Sequence, residues 1–163
     1  MQCYFLSPDN GLGNAYAQQQ SKRMEAVSPH HPLLDLVYGV IEYDRSKSEI
    51  STEQIIHGAA AIRTSRLLSV HSGKLLIHAG RYEAAKNILE SSYKIDTTAS
   101  LPLFYLAVAE SQLSNDYAKM ENYLVRFLSD PKIRMLQRSM MIEKGTIEYA
   151  EKMLSEVRNA KGK

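Results

Sequence analysis

Histidines, a single cysteine and scattered carboxylates are the residues in this 163-residue chain with the means to bind a metal or move a proton. His71 and His78 are the best placed pair. On one helix a spacing of seven puts them about 10 Å apart along the axis, too far for both rings to hold one ion. His30 and His31 lie in Ser28-Pro29-His30-His31-Pro32, a loop by composition that leaves the rings in solvent. A metal centre needs three or four converging ligands, and no such cluster is visible, so no metal and no cofactor is expected. Cys3 is the only cysteine, which excludes an internal disulfide and a cysteine-based zinc site. No serine sits in a nucleophile-elbow pattern. Gly11-Leu12-Gly13 lacks the third glycine, the preceding strand and the later acid of a dinucleotide fingerprint, and reads as a turn. Glu148 and Glu151, beside lysines, read as surface charge. Arg134 and Arg138, with Lys132, have the spacing to meet phosphate or an acidic partner, but without interleaved aromatics or a larger basic excess they read as an ordinary helix surface. No enzyme is expected from this inventory.

Composition points the same way. Hydrophobic residues at 44% and charged ones at 23% are ordinary for a globular protein. The formal charge of +2 creates no field that selects nucleic acid or membrane. Residues 131–163 hold eight basic and four acidic groups, a mild surplus that fits a solvated helix face. The start, Met1-Gln2-Cys3-Tyr4-Phe5-Leu6, has neither the basic leader of a signal peptide nor the length of a membrane span. A cytoplasmic location is expected if Met1 is the natural start, and a periplasmic one is open if the chain is a fragment. Membrane association is then expected only through a larger parent protein.

The elements that must position any site are helices. Residues 1–14 read as an N-terminal loop, with Asn14 capping a helix over 15–27. Pro32 suits the first turn of a helix over 33–44. A polar loop from Asp44 to Ile50 follows, and Ser51 with Gln54 resembles a capping box for a helix over 52–63. Further helices are expected over 66–79, ended by Gly80, then 82–94, about 100–113 and 117–128. Residues 131–158 divide into two helices at Gly145. No stretch alternates like a strand, so the fold class is all-α. As one domain overall, the chain divides into N-terminal helices over 15–64, repeats over 65–158 and a basic tail over 159–163.

Self-similarity organises the second half. Gly80, Tyr82, Ala85, Leu89 and Ser92 recur in spacing as Gly145, Ile147, Ala150, Leu154 and Val157. Tyr117, Met120, Leu124 and Phe127 reproduce the later intervals, followed by Pro131. With Gly73 and with Leu106-Ala107 in the preceding helices, the pattern resembles the tetratricopeptide repeat (TPR) family over about residues 66–158. Ser69, Ser72, Ser92 and Thr97 depart from its usual residues. The earlier pair, about 33–63, keeps Gly39 but has a long connection and reads as helical without being a true repeat.

The resemblance implies stacked antiparallel helix-turn-helix pairs forming a short TPR-like α-solenoid. Its first helices would line a groove for a peptide or partner helix. Carried onto this chain, the groove-facing positions are Val70, Lys74, Ile77 and His78, then Phe104, Val108 and Gln112, then Met135 and Ser139, with Tyr105 flanking. Apolar residues at these spacings also build plain core. The expected function is a non-enzymatic protein–protein interaction module. The alternatives are a soluble segment of a larger cell-envelope protein, such as a polysaccharide polymerase or ligase or a secretion assembly, and a nucleic-acid-associated regulator using the basic C-terminal helices. A homodimer through an end helix is a further option.

Overall fold

The structure, a computed structural model, describes residues 11–62, 65–114, 116–138 and 142–162. Nine helices and no strand occur among the described residues: α1 (Gly11–Val27), α2 (Pro32–Ser46), α3 (Glu49–Ala61), α4 (Arg66–His78), α5 (Tyr82–Ile95), α6 (Leu101–Leu113), α7 (Tyr117–Leu128), α8 (Ile133–Arg138) and α9 (Thr146–Lys161). None of these is long and apolar enough to cross a membrane.

Local chemistry sets most of the boundaries. Pro32 opens α2 because its missing N–H would have no helical partner there, and His31 Nδ1 accepts from Leu33 N at 3.2 Å. Asp116 Oδ1 caps α7 by accepting from Lys119 N at 3.0 Å. Gly80 follows α4 at φ 73, a left-handed conformation that suits glycine.

Several boundaries differ from the sequence expectation. Helix α1 already includes Gly11–Gly13, so these glycines do not form a turn and Asn14 is not a cap. The cap of α3 is Ser48, whose Oγ accepts from Ser51 N at 3.2 Å. Ser51 is buried inside the helix and donates to the Ser48 carbonyl at 2.7 Å. Helix α8 is described over Ile133–Arg138 and begins two residues after Pro131. Helix α9 continues to Lys161, through most of the expected tail.

The largest difference lies in the first pair. Helices α2 and α3 are joined by Lys47 and Ser48 alone, with Lys47 at φ 52. This is a tight hairpin, not two helices with a long connection. A Cβ built on Gly39 would lie 2.9 Å from Ser51 O and Ile55 N, and one on Gly58 would lie 2.4 Å from Leu36 N. The two backbones therefore meet at glycines, a closeness that any side chain would forbid.

Helices α4 with α5 and α6 with α7 pack as the next hairpins, while α3 also packs on α4 and α5 on α6. Helix α4 touches α6 directly, and α9 packs on α7. Several of the repeated positions fill the core. Ala85, Leu89, Leu124, Phe127 and Ala150 have no exposed surface, and Gly73 admits Leu89 against the α4 backbone. Glu110 is also buried, at 2% exposed. Ser114 donates to its Oε1 at 2.7 Å, and Lys86 Nζ lies 3.1 Å from Oε2, which ties α5 to α6.

Candidate functional site

One region gathers polar groups from α2, α4 and α6. Helix α4 contributes His71, Lys74 and His78, spaced three and four apart and so stacked along one side. The end of α2 brings Tyr43 and Asp44, and α6 brings Tyr105. Glu143, in the connection before α9, completes the group. Its carboxylate hydrogen-bonds Lys74 Nζ across 69 residues of sequence.

Electrostatics identify what each group does. Burial brings His71 down to about 4, and the Lys74 ammonium pushes in the same direction. Asp44 and Glu143 oppose this more weakly. The ring is therefore neutral near pH 7. Burial, with a smaller contribution from Glu143, raises the Tyr105 phenol above its ordinary range, which keeps it protonated. Lys74 contributes an ammonium, paired with Glu143. An ammonium beside a protonated phenol suits hydrogen bonding to a polar or acidic segment.

The His71 shift has a testable sign. Between about pH 6.5 and about pH 4 the unfolded chain binds a proton at His71 that the folded chain does not. The stabilisation is fully present above this window and falls as pH drops through it, by about 2 kcal/mol after allowing for the ring's partial exposure. Urea unfolding across that range should show a shallower pH slope in His71→Gln. An unchanged slope would place the ring in solvent.

Further along α4, His78 is exposed and lines a cleft of about 540 Å³ with Tyr43, Lys47, Glu49, Thr52, Leu75 and Ala79. The cleft lies where the ends of α2 and α4 meet the first turn of α3. Lys47 Nζ stands 4.5 Å from the centre of the Tyr43 ring and 3.9 Å from Asp44, so the cleft adjoins the charged group around His71.

The residues expected to face the groove separate into four sets. Lys74 and Tyr105 come together around Glu143, and His78 lies one turn further along. Val70 and Phe104 are buried, each 7% exposed, so they brace the face from beneath. The Phe104 ring packs on those of Tyr105, Phe127 and Tyr149 with centroids 5.1, 5.3 and 6.1 Å away. Ile77 and Val108 are partly buried against the core. Gln112 is exposed and reaches Ser111 at 3.4 Å, while Met135 is 60% exposed on α8. Ser139 lies outside the described residues. The spacing of His71 from Lys74, three residues on one helix, is the sequence signal that places it here. Glu143 carried no local sequence signal.

The basic C-terminal helix is largely committed within the chain. Arg158 Nε and Lys161 Nζ bond the two oxygens of Glu121 at 2.9 and 2.6 Å. Among the described residues no group of three or more His, Cys, Asp or Glu is arranged to hold a metal. No family model matches the chain, and no curated protein or solved structure matches it either.

Proposed function

We propose that this chain is a non-enzymatic protein-binding module that presents a face of first helices to an extended or helical segment of a partner. The observation that carries the reading is the convergence of Asp44 from α2, His71 and Lys74 from α4 and Tyr105 from α6 on one surface. A TPR-like solenoid is the architecture we assign to it. In support, α2, α4 and α6 begin at Pro32, Arg66 and Leu101, intervals of 34 and 35 residues, and α3 packs on α4 and α5 on α6 as successive repeats would. On this reading the tight α2–α3 hairpin is the first repeat, with Gly39 standing 34 residues before Gly73. The Lys74 ammonium and the Tyr105 phenol favour a partner with acidic or hydrogen-bonding side chains along an apolar stripe.

Affinity capture from a native lysate should separate wild type from Lys74→Glu. A partner retained by wild type and by the exposed α9 control Lys152→Glu, but reduced about tenfold or more by Lys74→Glu at unchanged helicity, is the expected result. Equal retention by all three proteins would move the binding surface away from α4.

A further inference from the structure

We infer that Glu143 is an internal competitor for the groove: it occupies the anion position at Lys74, and a carboxylate-bearing partner segment must displace it to bind. The inference rests on the groove reading above and adds the chemistry of the partner and the means by which access to Lys74 is restrained.

The position of Glu143 is built by its neighbours. Ile142 is buried in the core, Gly145 turns the backbone at φ 89, and Thr146 N donates to the Glu143 carbonyl at 3.2 Å. These features hold the backbone beside α4 and aim the carboxylate at Lys74. The Lys74 side chain is only 21% exposed, whereas that of Glu143 is 64% exposed. The ammonium is thus sheltered while its carboxylate partner is free to swing into solvent. Chain connectivity gives Glu143 an effective concentration on the order of millimolar. An ion pair this exposed is weak, so the restraint it imposes is up to about fivefold. A partner that also gains contacts along α4 and α6 exceeds that restraint, and a lone carboxylate does not. The group that would take the vacated place is a second carboxylate, because Glu143 itself demonstrates the geometry that Lys74 accepts. Tyr105, beside Glu143, is the next donor such a segment would meet.

The test uses the full chain as wild type, Glu143→Gln and Lys74→Met, the last keeping the aliphatic stem so that packing survives. Circular dichroism first establishes that all three are equally helical. Acylation of Lys74 by a small amine reagent, mapped by mass spectrometry, should run about three to five times faster in Glu143→Gln. Two blocked peptides then serve as probes: the chain's own residues 142–146, Ile-Glu-Lys-Gly-Thr, and the same peptide with Gln in place of Glu. The acidic peptide should shift the Lys74 and Tyr105 resonances of Glu143→Gln at concentrations that leave wild type unmoved. The Gln peptide should shift neither, and Lys74→Met should respond to neither. Unchanged Lys74 reactivity would overturn the inference and leave the groove reading standing. Faster acylation with equal peptide response in wild type and Glu143→Gln, or with no carboxylate dependence, would show that Glu143 does not compete. No response in any variant would overturn the carboxylate partner, and the capture experiment with Lys74→Glu would then judge the groove separately.

Discussion

Gly58→Ala should lower the unfolding free energy by about 3 kcal/mol, read as a shift of the urea midpoint at constant slope. The added Cβ would stand 2.4 Å from Leu36 N, 2.7 Å from Leu36 Cβ and 2.8 Å from Leu36 Cα. Two of these atoms are backbone, so no rotamer change relieves the clash and the α2–α3 hairpin has to open. Leu36 is fully buried, which means that opening also loosens the core around it. Gly80→Ala is the natural control. Nothing lies within 4 Å of its Cβ position, but its φ is 73, so the cost is the left-handed penalty of about 1 kcal/mol. Should the two variants lose equal stability, the close approach of α2 and α3 at Gly58 would be refuted.

Lys86→Met has a comparable effect by a different route. It leaves Glu110 buried with the Ser114 hydroxyl and the more distant Lys119 ammonium, 4.0 Å away. Breaking a buried pair by removing one partner costs more than the pair contributes, because the remaining charge stays desolvated. The expected loss is about 3 kcal/mol, at the lower edge of the usual range because Lys119 remains. Adding Glu110→Leu to Lys86→Met should recover most of it, since an apolar residue fits the site without an orphaned charge. Failure of the double variant to recover would mean that the site depends on charge for its packing. The pair also has a pH signature. Burial on its own would raise the Glu110 carboxyl, but the Ser114 and Lys86 hydrogen bonds and the nearby ammonium charges outweigh it and hold the group below its ordinary range. A carboxyl depressed in the folded state stabilises above its unfolded pKa and loses that contribution as pH falls through the folded value. Lys86→Met should therefore flatten the acid side of the stability curve.

Much of the helical plan was legible because proline, glycine and capping side chains act locally. Gly80, Asp116 and Pro32 each end or begin a helix for reasons confined to a few residues. The first hairpin was misread because Asp44, Arg45, Ser46 and Lys47 have the composition of a loop. Residues 44–46 are instead the exposed last turn of α2, and Lys47 makes the left-handed stop without a glycine to announce it. Ser48 and Ser51 are equally good caps by type, and only burial of Ser51 in the core decides between them.

For the candidate site, spacing on one helix was enough to group Lys74 with His78. Spacing did not distinguish a side chain that lines a face from one that supports it, which is why Val70 and Phe104 were placed on the groove. The Lys74–Glu143 contact spans the whole second half of the chain, and no periodicity encodes a contact of that range.

The substantial packing among these helices joins elements that are neighbours in sequence or next but one. Such a connectivity has a kinetic consequence, because closing short loops costs little entropy before contacts repay it. The α2–α3 hairpin needs only two residues to reverse direction, so it is the natural seed, and later hairpins add to a surface that already exists. A chain assembled in this order can emerge from the ribosome as a growing folded stack, with each new pair finding its docking surface complete before the following one is made.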